Sequence, residues 1–162
     1  MNVTRDRVES ERTWVADRAT VVVPLINQLR EHLGDVFDTD VEAITDEQYR
    51  EAVTAVFADG DLAVNVAALV GLLRELDVTD DYPGFVVDEF LGRELAATIA
   101  GGQPRGTLAE ATYHYADVRT HGSEDDVAGL DDLDAALAAG FQTRLPGWEW
   151  TATASPFSVD PE

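Results

Sequence analysis

Glu110, His114, Asp117 and His121 follow one another at spacings of 4, 3 and 4, the interval that stacks side chains on one helix face. At 100° per residue all four fall within about 60° of arc. Carboxylates and imidazoles gathered on one face can bind a divalent metal or carry out acid/base work. The same segment places Leu108, Ala111, Tyr115 and Val118 on a roughly opposite sector. The polar stripe is therefore expected to face water, where a Glu–His pair one turn apart is routine. A metal centre in a helical bundle also needs inward ligands from a neighbouring helix; Asp88, Glu89 and Glu94 are the candidates. The expectation is no cofactor, with a divalent metal on this stripe as the alternative.

Other segments carry partial motifs. Asp59-Gly60-Asp61 sits between two helical patterns like a fragment of a calcium loop. In that register Leu62 stands where glycine is needed and Ala68 where the bidentate Glu belongs. Gly101-Gly102-Gln103-Pro104-Arg105-Gly106-Thr107 has P-loop glycine spacing but no Lys, and a helical pattern rather than a strand precedes it. Ser10, Ser123, Ser155 and Ser158 lie in no Gly-x-Ser-x-Gly context. The chain has no Cys and no Lys, which excludes disulfides, thiolate ligands and Schiff-base chemistry. Tyr113, His114 and Tyr115 add aromatic weight beside the polar stripe, read as rim packing, with a binding surface for a small ligand or a partner as the alternative. Near the end, Trp148, Trp150 and Phe157 occur among prolines with no helical period. They serve either as a strap across the bundle or as anchors for a partner, since Trp is enriched at interface hot spots.

The elements that position these residues read as helices. Val8, Val15, Ala19, Val22, Ile26, Leu29 and Leu33 form one stripe about 80° wide. The spacing predicts one long helix to Leu33, kinked at Pro24 and ended by Gly34. Thr45-Asp46-Glu47-Gln48 is a capping box for a helix to Ala58. Leu62–Leu76 is a very apolar helix, expected at the centre. Pro83 opens a helix that stops at Gly101-Gly102, and Thr107 with Glu110 caps one running to Thr120. A shorter helix runs from Asp126 to Ala139, closed by Gly140. The fold class is all-α: one bundle of five or six helices over 1–145, with an irregular aromatic tail over 146–162.

Charge speaks to environment. Among 162 residues there are 32 acids against 11 basic residues, all Arg, for a net charge of −21. The acids are spread from Asp6 to Glu162 and interleaved with an ordinary 45% apolar content. Self-repulsion would burden such a domain in dilute buffer, whereas at about 1 M salt the Debye length is roughly 3 Å. A salt-adapted cytoplasm is the expected setting. The opening Met-Asn-Val-Thr-Arg-Asp-Arg has no apolar core of a signal peptide. Leu62–Leu73 is too short to span a bilayer.

These features lead to a small non-catalytic accessory or adaptor protein that binds another protein, with Trp148, Trp150 and Phe157 as contacts. The alternatives are a metal-dependent helical-bundle protein using Glu110, His114, Asp117 and His121, and a helix-turn-helix DNA-binding regulator. The last is disfavoured because the Arg residues are scattered singly and no helix offers a basic reading face. No membrane partner is expected, and the apolar excess on the first and third helices permits a homodimer without requiring one.

Overall fold

The computed structural model describes residues 1–76, 81–120 and 130–147. Among them lie seven α-helices and no strand: α1 (Arg5–Asp17), α2 (Ala19–Phe37), α3 (Asp46–Ala58), α4 (Gly60–Glu75), α5 (Asp81–Ala100), α6 (Arg105–Thr120) and α7 (Leu130–Phe141). A 3₁₀ turn, Gln142–Arg144, follows α7. The all-α bundle read from periodicity is what the chain forms. No single described helix is long and apolar enough to cross a membrane.

The predicted long first helix is two helices. Their junction is Arg18, not Pro24. Pro24 lies inside α2 on an exposed side, where the Thr20 carbonyl it deprives of a partner can turn to water. At Arg18 the backbone leaves the helical region (ψ 1°), while its side chain donates to Asp134 on α7 from Nε at 3.0 Å and Nη2 at 2.5 Å. Gly34 does not end α2; Asp38, left-handed at φ 49°, does so one turn later. The Thr45–Gln48 capping box forms in both directions. The predicted Thr107 cap does not open α6, whose first turn is closed earlier by Leu108 N–H on the Pro104 carbonyl. Asp59, in the turn that resembles a calcium loop, is a helix cap, its carboxylate accepting from Leu62 N–H.

The central helix is α7 rather than α4. Every residue from Asp132 to Phe141 is buried, and α2, α3, α4, α5 and α6 all pack against it. α4 by contrast leaves Val64 and Leu72 exposed. The reason is size. Ala135, Ala136, Ala138, Ala139 and Gly140 let several helix backbones approach, while Leu133, Leu137 and Phe141 fill the gaps. Gly140 is a contact residue within α7, not its terminator: a Cβ there would stand 2.8 Å from Ile99 Cβ and 3.0 Å from the Ala96 carbonyl.

A helix buried on every side cannot satisfy its ends with water. α2 serves both ends of α7. At one, Arg18 holds Asp134; at the other, Arg30 enters the core at 1% exposure. Its Nη1 donates to the carbonyls of Glu42 and Pro146, each at 2.6 Å, and its Nη2 to that of Leu145 at 2.8 Å. Burial lowers the guanidinium pKa to about 10, so it stays a cation at neutral pH. A cation there also suits the negative end of the α7 dipole. Arg18 and Arg30 are about 18 Å apart along α2, so α2 and α7 run side by side in the same direction. On the other flank, buried Glu11 accepts from Arg7 at 2.8 Å and Arg74 at 2.7 Å, joining α1 to α4.

Replacing Arg30 with Met keeps the volume and strands these carbonyls. The expected cost is about 2–4 kcal/mol, read as a fall in urea midpoint in molar KCl. A loss below about 0.5 kcal/mol, the size of an ordinary surface change, would mean the cation is incidental.

Candidate functional site

The three described residues of the polar stripe, Glu110, His114 and Asp117, do not share one environment. Glu110 and His114 are exposed on α6, whereas Asp117 is buried at 5% exposure. His121 lies outside the described residues. Among those residues no group of three or more His, Asp or Glu side chains is placed to hold a metal ion. The helical phase explains the split. α6 buries Gly106, Leu108, Ala109, Thr112, Tyr113, Ala116 and Asp117, while Ala111 and Val118, assigned to the core from hydropathy, are exposed. Small residues and a tyrosine face α5 and α7, which rotates Asp117 inward and leaves Val118 in solvent. Trp148, Trp150 and Phe157 also fall outside the described residues. Their root is fixed, because Arg30 holds the Pro146 carbonyl and Glu42 N–H donates to the Gly147 carbonyl at 3.2 Å.

The residues that do converge line a groove between α2 and α6. On α2, Leu29 and Leu33 point into the core, and this phase carries Gln28 and His32 to the rim. On α6, buried Thr112 and Ala116 bring Tyr115 to the facing rim. The His32 and Tyr115 rings stack with centroids 4.0 Å apart and planes 6° from parallel. Arg119, one turn beyond Tyr115, sets its guanidinium carbon 4.9 Å from the Tyr115 centroid.

Two hollows adjoin this stack. One, of about 360 Å³, has an apolar wall of Val21, Pro24 and Leu25, with the Arg18–Asp134 pair beside it. The other, of about 350 Å³, is polar and lined by Gln28, Glu31, His32, Asp35 and Tyr115. Gln28 and Arg119 border both, so the groove is continuous. The polar end adjoins a larger hollow of about 550 Å³ rimmed by Glu31, Asp35, Asp38 and Asp40.

The groove is equipped for recognition. It presents an imidazole, a carboxamide and a guanidinium as hydrogen-bonding groups, carboxylates at one end and aliphatic surface at the other. None of the described hydrogen bonds or ion pairs engages the Gln28 or Arg119 side chains, although carboxylates outnumber cations across the chain. Sequence reading noticed Tyr115 as a rim aromatic but passed over His32, Gln28 and Arg119. The available signal was the four-residue step from Gln28 to His32, about 110° around α2 from its apolar stripe.

A double-mutant cycle tests the stack. Tyr115→Ala and His32→Ala are expected to couple by about 0.5–1.5 kcal/mol, measured by chemical denaturation. Additive effects would mean that the rings merely lie near one another.

Comparison with curated proteins and with solved structures found no match to this chain. A family match covers residues 1–161, nearly the whole sequence. The chain belongs to the family described as a domain of unknown function, DUF7984.

Proposed function

We propose that this chain is a small non-catalytic accessory or adaptor protein, and that it works by binding an extended segment of another protein in the α2/α6 groove. The supporting observation is the groove itself. An aromatic–cation stack with uncommitted polar groups lies between an apolar hollow and an acidic rim. Tyr and Arg are among the residues enriched at binding hot spots. Charged groups away from the groove serve mainly as struts: Arg7–Glu11–Arg74 and Arg30 on its carbonyls.

The lining also describes the ligand. Between Arg18 and Asp35, α2 spans about 25 Å, the reach of about eight extended residues. Such a segment carries apolar side chains at the end that meets Val21, Pro24 and Leu25. It carries a basic side chain at the end that meets Glu31 and Asp35. Trp148, Trp150 and Phe157, following on the anchored Gly147, supply a second contact. The composition fits binding in molar salt, where ion pairing is screened and apolar contact carries more of the affinity.

The test places a photo-crosslinking residue at Gln28, with one at Thr54 on α3 as control, in native-salt extract of the source cell. The expected result is one defined adduct from position 28 and none from position 54. Val21→Arg with Arg119→Glu should reduce it at least tenfold while the helical signal is unchanged. Removing residues 148–162 should weaken it without unfolding the bundle. Equal labelling at the two positions, or an adduct indifferent to the groove substitutions, would contradict the proposal.

A further inference from the structure

Away from the groove, two buried acids lie where α5, α6 and α7 meet. Asp88 on α5 is 2% exposed, and its Oδ1 has no hydrogen-bond partner. Asp132 on α7, 8% exposed, accepts a hydrogen bond from the Tyr113 hydroxyl of α6 at 2.7 Å. Gly92, one turn beyond Asp88, makes the approach possible, since a Cβ there would collide with that hydroxyl. Tyr113 thus sits over the α5 face that bears Asp88, with its one proton already given to Asp132.

Among the described residues no cation neutralises this pair of acids. Asp132 is the charged group that bears on Asp88 among the described residues, and α4, also packed on α5, contributes none. Asp117 on α6 and Glu89 on α5 are further acids acting on Tyr113. Arg93, the nearby cation of α5, is 3.7 Å from Glu89. A carboxylate buried without donor or counter-ion carries a large desolvation penalty, which the group escapes by taking up a proton. Burial, followed by the field of Asp132, pushes the Asp88 carboxyl up to about 6.

We propose that Asp88, Tyr113 and Asp132 form a proton-operated latch joining α5, α6 and α7. With a proton on Asp88, the helices close over one neutral and one hydrogen-bonded carboxyl. Without it, Asp88 becomes a second buried negative charge in the field of Asp132. The stabilisation is complete below the ordinary carboxyl value of 3.8 and is lost as pH rises through about 6. This is opposite to the usual behaviour of an ion-paired acid.

The experiment compares the melting temperatures of the wild-type chain and Asp88→Asn, in molar KCl, between about pH 4.5 and about pH 8. The variant, a permanent mimic of the protonated acid, is expected to melt about 6–12 °C higher at the alkaline end. That gap should narrow to about a third of its size at the acidic end, where the unfolded chain's carboxyl is still largely ionised. A gap of either sign that does not change with pH would overturn the latch. If the variant does not fold, carbon-detected titration of the wild-type Asp88 carboxyl decides directly. A midpoint near 6 supports the latch, and one in the ordinary range near 4 overturns it.

Discussion

The complete burial of α7 is the constraint from which the other features follow. A helix with solvent on one side can lean on water for its end groups and its polar side chains. α7 has no such side between Asp132 and Phe141, so every polar atom there must be satisfied by a neighbour. Arg18 and Tyr113 answer its two buried aspartates, and Arg30 collects the carbonyls beyond its C-terminus. The alanine-rich sequence is the other half of the solution, because only small side chains let neighbouring helices reach the same axis.

Clamping α2 along α7 also fixes the groove. The face of α2 that carries Arg30 and the Val22–Leu33 stripe inward determines which residues turn outward. Gln28 and His32 are therefore placed by the core and only then available to a ligand. The Arg18–Asp134 pair belongs to both arrangements, bracing α7 on one side and bordering the apolar hollow on the other. A surface built on braced helices loses little entropy on binding, which favours recognition by a preformed site.

Much of the architecture was legible in the sequence because caps and apolar periods are local signals. The Thr45–Gln48 box, the stop of α5 at Gly101 and the α2 stripe from Val22 to Leu33 all depend on residues within a few turns. What was not legible depends on contacts distant in sequence. The break at Arg18 answers to Asp134, and Gly140 to Ile99, neither of which a local pattern contains. Ranking helices by hydropathy favoured Leu62–Leu76 for the centre, whereas the place went to a helix of alanines bearing two buried aspartates. For the same reason the face of α6 was misassigned: Ala111 and Val118 are apolar but outside, and Asp117 is charged but inside. The His32–Tyr115 stack joins residues on helices that only the folded chain brings together.

Hydrogen exchange resolved by residue, in molar KCl, bears most directly on the role of α7. If this helix is the hub, the amides from Leu133 to Phe141 exchange only through global unfolding and are the slowest in the protein. Those of α4 and of the outer face of α6 would open at lower cost. Finding the slowest amides in α4, with α7 opening in a smaller local transition, would contradict the account and return the centre of the fold to the Leu62–Leu76 segment.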